Sequence, residues 1–239
     1  MPAQSFAPTF LLTRPAAQSA RFASQLHQVF AQYDIVISPL FHTQYFAPPL
    51  PKGPFDAVIF TSQAGVEAAQ RLNAPGLPNK AYCVGPATQS AAQLAGFDAQ
   101  GTAGDLSDLI GLIQTVAANE RLLYLRGADV TADLNAILDH TLSLVVYQQV
   151  EQPLTAEARS LLAGENPVIL PVFSKRSARK LCHNLTNLPR GCSIWGAALS
   201  AAIAHDLTPL GCEKLVTASN PSNDALIFAI SQLIGQSSA

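Results

Sequence analysis

The chain has 239 residues, of which 49% are hydrophobic and only 13% are charged, and its formal net charge is −2 at pH 7. This composition favours a packed globular protein over a disordered one, and it lacks the basic excess that is typical of nucleic-acid binders. No apolar run approaches the ~18 residues that a membrane span needs, and no basic segment precedes Arg14, so we expect neither a membrane helix nor an export signal.

Strand-like apolar runs alternate with helix-like segments along the chain, which is typical of an α/β fold with parallel sheets. In the first half, TFLLT precedes a helix predicted over 15–32, DAVIFTS precedes QAGVEAAQRL, AYCVG precedes PATQSAAQLAG, and RLLYLRG precedes ADVTADLNAILDH. In the second half, PVILPVFS precedes KRSARKLCHNL, SIWG precedes AALSAAIAHDL, and a helix predicted over 222–234 comes last.

These strand–turn–helix modules repeat within the chain. FTSQAGVEAAQRL resembles VFSKRSARKLCHNL, and LLTRPAAQSARF resembles LLYLRGADVTADL. Four modules occur twice, and they align Ser62 with Ser174, Gly85 with Gly196, Asp108 with Asp224, and Arg14 with Arg126. Strand–turn–helix units can resemble each other by chance, but four pairs at similar spacing favour an internal duplication.

The order of the modules differs between the two copies. One copy is continuous, whereas the other begins at the N-terminus with the Arg14 module and is completed near the C-terminus. We therefore predict two similar doubly wound parallel-sheet domains, flavodoxin- or Rossmann-like, with one inserted into the other. The outer domain, discontinuous in sequence, would use residues 1–34 and 167–239, and the inner domain residues 54–140. Residues 35–53 and 141–166 would form a two-stranded β connector and its flanks, which their β-branched and aromatic content suits.

The strand-to-helix turns are the candidate binding sites. The motifs GxGxxG, GxxxxGK[ST], HExxH and GxSxG are all missing from the sequence. In doubly wound sheets these turns lie at the carboxyl ends of the strands, where ligands bind, and helix N-termini hold anions through free backbone N–H groups. Two domains would bring two sets of such turns to one cleft. The turns are Thr61-Ser62-Gln63, Gly85-Pro86-Ala87-Thr88, Ser174-Lys175-Arg176 and Gly196-Ala197-Ala198. The serines also suit helix capping, which leaves other N–H groups free.

Few other residues suggest chemistry. Tyr147, in the predicted connector strand LVVYQQVEQP, suits packing, but its phenol could also donate a proton. Asp105 and Asp108 are predicted to cap a helix, and Trp195 to pack within a strand. The five histidines show no metal-ligand spacing, so we expect no metal site. The four cysteines form no CxxC pair, and we expect reduced thiols.

In its ordered set of segments the chain resembles the uroporphyrinogen-III synthase family. The segments are LLTRP, IFTSQAGVEA, CVGPATQSAAQLAGF, LYLRG, VVYQQV, VFSKRSARKL and ASNPSNDALIFAI. The resemblance implies two α/β domains joined by a two-stranded connector, in a cytoplasmic lyase of tetrapyrrole (heme) biosynthesis that needs no metal and no cofactor. That family closes the linear tetrapyrrole hydroxymethylbilane into uroporphyrinogen III, with loss of water and inversion of ring D.

The resemblance also implies roles for individual residues. Tyr147 matches the family's candidate for assisting loss of the hydroxyl. One turn departs from the family, whose outer domain often has a Gly-Pro-Thr-Thr-like turn where this chain reads WGAALSAA. Backbone N–H groups would have to bind carboxylate there, although Ser200 is close. The expected substrate-binding residues are Arg14, Thr61, Ser62, Gln63, Gly85, Pro86, Ala87, Thr88, Arg126, Gly127, Ser174, Lys175, Gly196, Ala197, Ala198 and Leu199.

The implied partner is a small molecule, the linear tetrapyrrole with its eight carboxylates. We expect no nucleic-acid or membrane partner and, since nothing in the sequence demands a second copy, a monomer in the cytoplasm. Two other functions compete with the cyclase. A non-catalytic two-domain binding protein for a small anionic ligand usually has an export signal and a more polar surface. A nucleotide-dependent transferase on paired Rossmann-like domains would need the phosphate-binding motifs that are missing here.

Overall fold

The computed structural model describes residues 7–102, 104–130, 132–186 and 188–235. The chain divides into two compact units: unit 1 comprises Met1–His42 and Glu151–Ala239, and unit 2 comprises Thr43–Val150. Each unit is built on five parallel strands with helices on both faces. The predicted α/β class with two similar parallel-sheet domains, one of them discontinuous, is confirmed.

Strands and helices alternate along most of the chain. In the first half they are β1 (Thr9–Leu12), α1 (Ala16–Val29), β2 (Ile35–Ile37), β3 (Phe41–Tyr45), β4 (Ala57–Phe60), α2 (Gln63–Leu72), β5 (Lys80–Val84), α3 (Pro86–Leu94), β6 (Asp98–Thr102), α4 (Leu106–Val116) and β7 (Leu122–Gly127). In the second half they are β8 (Thr141–Glu151), α5 (Ala156–Ala163), β9 (Val168–Val172), α6 (Lys175–Thr186), β10 (Ile194–Ala198), α7 (Ala201–Leu207), β11 (Lys214–Thr217) and α8 (Asn223–Gly235). No helix in the described ranges is long and apolar enough to cross a membrane.

The sheet of unit 2 has the strand order β3-β8-β7-β4-β5-β6. Numbered by appearance within the unit, its parallel strands follow the order 3-2-1-4-5, which is the order of Rossmann folds. Helices α2 and α3 pack on one face, around Phe60 and Val66. Helix α4 packs on the other face, around Ile59 and Tyr124. We call these the α2/α3 face and the α4 face.

The sheet of unit 1 has the strand order β11-β10-β9-β1-β2. Helices α5, α6 and α7 pack on one face, and α1 and α8 on the other. The two sheets therefore correspond strand by strand, with β9 in the place of β4 and β1 in the place of β7. Trp195 is 6% exposed within β10, so its predicted packing role is confirmed.

Helix boundaries follow the capping residues. Asp105 and Asp108 form a capping box at the start of α4, as predicted. Helix α1 ends at Val29, three residues before the predicted end at residue 32. The chain passes between the units within β3 and within β8, the two strands of the predicted connector. Both belong to the sheet of unit 2, which therefore extends beyond the 54–140 predicted for the inner domain.

The helix predicted over ADVTADLNAILDH is wrong for the residues of this segment that the structure describes. Only one short 3₁₀ turn, Leu134–Ala136, is present there. The side chain of Asp133 accepts a hydrogen bond from the backbone N–H of Asn135, and such local bonds compete with helix formation. Leu134 and Leu138 are still buried against the α4 face, so the segment covers the sheet without a helix.

Candidate functional site

Strand order selects one place on unit 2 for a ligand. In doubly wound sheets ligands bind beyond the carboxyl ends of the strands, where the strand order reverses. In unit 2 this switch point lies between β4 and β7, which are paired neighbours. Thr61 and Ser62 directly follow β4, and Arg126 and Gly127 end β7. The structure thus brings these four predicted site residues together.

Ser62 and Tyr147 form a hydroxyl pair on the α2/α3 face. The side chain of Ser62 caps α2 by accepting a hydrogen bond from the backbone N–H of Gly65 at 3.3 Å. The Ser62 Oγ and Tyr147 Oη atoms also share a hydrogen bond of 2.8 Å. Ser62 and Tyr147 are both half-buried, so a ligand could still reach the phenol. The predicted catalytic candidate therefore lies in direct contact with a predicted binding turn.

A β-bulge brings Tyr147 to this face. The register of β7 and β8 pairs Arg126 with Val145 but Gly127 with Tyr147, so Val146 is the extra residue. Without that extra residue the alternation of the strand would direct Tyr147 to the other face of the sheet. Gly127 provides the space, because a Cβ atom on it would lie 2.8 Å from Tyr147 Cε2. Gly127 therefore leaves room for the tyrosine ring.

A second hydroxyl pair lies on the α4 face. Thr61 Oγ1 and Tyr124 Oη share a hydrogen bond of 3.0 Å. Tyr124 is 3% exposed. Burial raises the pKa of its phenol, and the nearby Tyr147 phenol adds to this increase in pKa. Sequence reasoning missed Tyr124. The available signal was the repeat, because the Arg14/Arg126 alignment places Tyr124 opposite Leu12 of the other copy.

The turn before α3 has the geometry of an anion site. Gly85 has a φ of 74° and Pro86 begins the helix, an arrangement that suits glycine and proline. The N–H groups of Ala87 and Thr88 lie in the first helical turn, where no intrahelical acceptor is available. The side-chain amide of Gln63 donates to the backbone oxygen of Ala87 at 3.3 Å, which joins this turn to the turn before α2.

The two predicted arginines are held by their own units. The Arg126 guanidinium donates to the backbone oxygens of Gly127 at 2.9 Å and Ala128 at 3.2 Å. The guanidinium of Arg14 lies over the ring of Phe173, 4.0 Å from the ring centroid. Burial, with a smaller effect of the nearby Arg21 charge, lowers the pKa of Arg14.

In unit 1 the corresponding switch point lies between β9 and β1. Ser174 follows β9 and caps α6, because its hydroxyl accepts from the backbone N–H of Ser177 at 3.1 Å. Lys175 is exposed in the first turn of α6. Ser174 thus repeats the capping role of Ser62, as the duplication predicts.

The helix turn predicted at Gly196-Ala197-Ala198 is wrong. Gly196, Ala197 and Ala198 lie inside β10, paired with β9 and β11. The backbone N–H of Leu199 donates to the oxygen of Val172, so it continues the sheet and is occupied. The helix starts only at Ala201, after Ser200. Alanine occurs in helices and in strands, and here pairing with both β9 and β11 places these alanines in a strand.

The described residues offer little further reactive chemistry. They contain no group of three or more His, Cys, Asp or Glu side chains that could hold a metal ion. The four cysteines are free thiols. Burial raises the pKa of Cys83 to about 11, which makes it a poor nucleophile at neutral pH.

Comparison with known proteins adds a family. A family model described as uroporphyrinogen-III synthase HemD matches residues 24–227. The structure is similar to that of uroporphyrinogen-III synthetase from Helicobacter pylori, with a TM-score of 0.66 and 20% identity over 95% of this chain and 99% of that chain. This similarity shows the fold. Uroporphyrinogen III synthase from Thermus thermophilus matches over 97% of this chain and 100% of that chain, with 15% identity and a TM-score of only 0.39. No curated protein sequence matches significantly.

Proposed function

The chain belongs to the uroporphyrinogen-III synthase family, and on that premise we propose that it closes hydroxymethylbilane into uroporphyrinogen III. Water leaves the terminal hydroxymethyl group, the substituted carbon of ring D attacks the resulting azafulvene, and the spiro intermediate fragments and recloses with ring D reversed. Because water is eliminated as the ring closes, the enzyme would be a lyase. Membership of the family, together with the hydroxyl pair at the switch point of unit 2, supports this proposal.

Tyr147 is the proposed proton donor for loss of the hydroxyl, and the observation that carries this role is its 2.8 Å hydrogen bond to Ser62. Ser62 Oγ already accepts the N–H of Gly65, so its own hydrogen can point at the tyrosine oxygen. The phenolic hydrogen of Tyr147 is then available to the leaving oxygen. When the C–O bond breaks, that proton leaves with the hydroxide as water. The proton released when the last pyrrole regains aromaticity restores the phenol.

The N-terminus of α3 is the proposed receptor for one carboxylate of the substrate. Backbone N–H groups at Ala87 and Thr88 would donate to the carboxylate, and the partial positive charge of the helix end adds to the attraction. Ala87 is exposed and Thr88 is buried, so the backbone rather than a long cationic side chain would make the contact. This explains how a chain with only 14 Lys and Arg residues can bind a substrate with eight carboxylates.

In unit 1 we propose that the turn of Ser174 and Lys175 is a further carboxylate-binding element. Its helix α6 is capped in the same way as α2, and the exposed ammonium of Lys175 adds a charge that the matching Gln63 lacks. The Gly196–Leu199 segment is no longer a candidate for backbone binding, because the N–H of Leu199 is bonded within the sheet.

We also propose that the protein acts as a monomer in the cytoplasm. Ser62, Tyr147 and the α3 turn all come from one chain, so no second copy is needed to complete this set. The four free thiols fit a reducing compartment. Light scattering coupled to gel filtration would test the monomer.

One experiment separates the proposed enzyme from the competing anion-binding protein. A trace of protein is mixed with a large excess of freshly generated hydroxymethylbilane, and disappearance of the substrate is followed against a protein-free control. An enzyme converts many equivalents faster than the spontaneous reaction does. Protection of only one equivalent, with no acceleration, would contradict the proposal and indicate a binding protein.

A further inference from the structure

Tyr124 is a buried polar side chain at the edge of the proposed site, and the proposed reaction does not involve it directly. It comes from β7, next to β4, and its phenol lies among the apolar residues of the α4 face. Its hydroxyl shares a hydrogen bond of 3.0 Å with Thr61 Oγ1. Thr61 is half-buried and Tyr124 is 3% exposed, so the threonine is the more accessible member of the pair.

The fold does not require this hydroxyl pair. The duplicated unit 1 provides a comparison, because its strands β9 and β1 correspond to β4 and β7. Leu12 and Phe173 occupy the two equivalent positions there, and both are apolar. The guanidinium of Arg14 lies over the Phe173 ring, in contrast with the threonine and tyrosine of unit 2. A polar pair placed where the same architecture accepts apolar residues indicates a function for the pair.

We propose that Tyr124 is a positioning residue of the substrate site: it fixes the hydroxyl of Thr61 so that Thr61 donates its hydrogen to a carboxylate of the substrate. This inference rests on the proposed function and adds a specific donor to it. Thr61 and Ser62 project to opposite faces of the sheet at the end of β4, so Thr61 and Tyr147 would contact the substrate from different sides of that strand.

The count of hydrogens gives the direction of the bond. Either hydroxyl could donate in this hydrogen bond. The phenol has one hydrogen and is buried, and leaving that hydrogen without an acceptor would cost free energy, so we infer that it points at Thr61 Oγ1. The raised pKa of Tyr124 keeps that hydrogen in place at neutral pH. The threonine hydroxyl is then an occupied acceptor with its own hydrogen directed outward. An outward donor suits a carboxylate, which only accepts hydrogen bonds when ionised.

The test compares Tyr124→Phe, Thr61→Val and the double variant in steady-state kinetics with hydroxymethylbilane. A contact made equally in the ground state and the transition state changes KM and leaves kcat unchanged. We expect each single variant to raise KM about five-fold, the effect of one ordinary hydrogen bond. Because Tyr124 acts through Thr61, the double variant should be no worse than Thr61→Val.

Tyr82→Phe is the matched control. Tyr82 is also a buried tyrosine of the α4 face, but its hydroxyl donates to Glu120 and not to a site residue. Its KM should match that of the wild type. An unchanged KM in Thr61→Val, or KM effects of the two single variants that multiply in the double variant, would overturn the inference. If Tyr124→Phe fails to fold, an unchanged KM in Thr61→Val still overturns the inference, because the positioning role of Tyr124 requires Thr61 to contact the substrate. Wild-type protein without cyclase activity would instead defeat the proposed function.

Discussion

Three neighbours, Val146, Gly127 and Ser62, determine the position of Tyr147. The extra residue Val146 in the bulge turns the tyrosine toward the α2/α3 face, and Gly127 leaves room for its ring. Ser62 then holds the phenol at 2.8 Å. A tyrosine in a sheet strand ordinarily packs against apolar neighbours. Here the three neighbours hold the hydroxyl of Tyr147 at the end of β4, beside Ser62.

Substitution of Tyr147 by phenylalanine isolates the proton donor. Tyr147→Phe keeps the ring over Gly127 and removes only the hydroxyl. The azafulvene cation is stabilised by the pyrrole itself, so acid assistance should be at the low end of its usual range. We expect kcat to fall roughly ten- to a hundred-fold, with isomer III still the main product. An unchanged kcat in a folded variant would return Tyr147 to a packing role.

Gly127→Ala tests the space beneath the tyrosine. Its Cβ would lie 2.8 Å from Tyr147 Cε2 and 3.1 Å from the hydroxyl oxygen, so the ring must move, and we expect its hydrogen bond to Ser62 to be disturbed. We expect a loss of kcat similar to that of Tyr147→Phe and a decrease of about 1–3 kcal/mol in the free energy of unfolding.

Gly111→Ala is the control for that variant. Gly111 is exposed in α4, and a Cβ there meets no atom within 4 Å. Its kcat should be unchanged, and its free energy of unfolding should rise by about 1 kcal/mol because alanine favours helix. Urea unfolding and steady-state kinetics measure both quantities. Equal kinetics for the two glycine variants would show that the ring position does not matter.

At the scale of elements, the α3 turn tests backbone recognition of carboxylate. Ala87→Pro removes one N–H and reshapes the turn, because the residue before a proline avoids the helical region. Thr88→Ala removes the hydroxyl and the γ-methyl group but keeps the backbone N–H, and it should weaken substrate binding by about 1 kcal/mol. We expect Ala87→Pro to raise KM more than Thr88→Ala does, as measured in initial-rate assays.

A matched proline in another helix separates damage to the fold from damage to the site. Glu157→Pro changes the same second helical position in α5, outside the proposed site. Glu157→Pro should lower the midpoint of thermal unfolding about as much as Ala87→Pro does, while its KM stays near the wild-type value. Equal KM values for Ala87→Pro and Thr88→Ala would refute backbone recognition.

The local elements were predictable wherever local chemistry determines them. Ser62, Ser174 and Asp105 begin helices because their side chains accept backbone N–H groups, and such caps are visible in the sequence. The end of β10 was not predictable, because the alanines before Leu199 favour helix and give no local signal of a strand. Pairing with β9 and β11 places them in a strand, and such non-local pairing is not visible in a local pattern.

For the candidate site too, local features could be predicted from the sequence and non-local contacts could not. The Ser62 and Gly85 turns could be predicted because a strand followed by a cap or a glycine has a sequence signature. Tyr124 has no such local signature, because its contact with Thr61 joins residues 63 positions apart; only the comparison with Leu12 in the repeat distinguishes it. The helix predicted after β7 failed for a related reason: the repeat suggested a counterpart of α1, but Asp133 bonds its own turn instead.

At the scale of the whole molecule, the two units share one topology in two chain orders. Unit 2 is continuous from β4 to β8, whereas unit 1 begins with β1 and is completed by β9 to β11. The correspondence of the strands explains the repeated modules of the sequence. The two units differ at equivalent positions. Unit 2 has two hydroxyl pairs at its switch point, whereas unit 1 has an arginine over a phenylalanine ring.

The most direct test of the proposed function is the identity of the product. Purified protein is supplied with freshly generated hydroxymethylbilane, the products are oxidised to porphyrins, and the type I and type III isomers are separated by chromatography. Spontaneous closure gives isomer I, so only a protein that inverts ring D produces isomer III. We predict mainly isomer III with the wild-type chain. Isomer I alone, at the rate of the protein-free control, would contradict the proposed function.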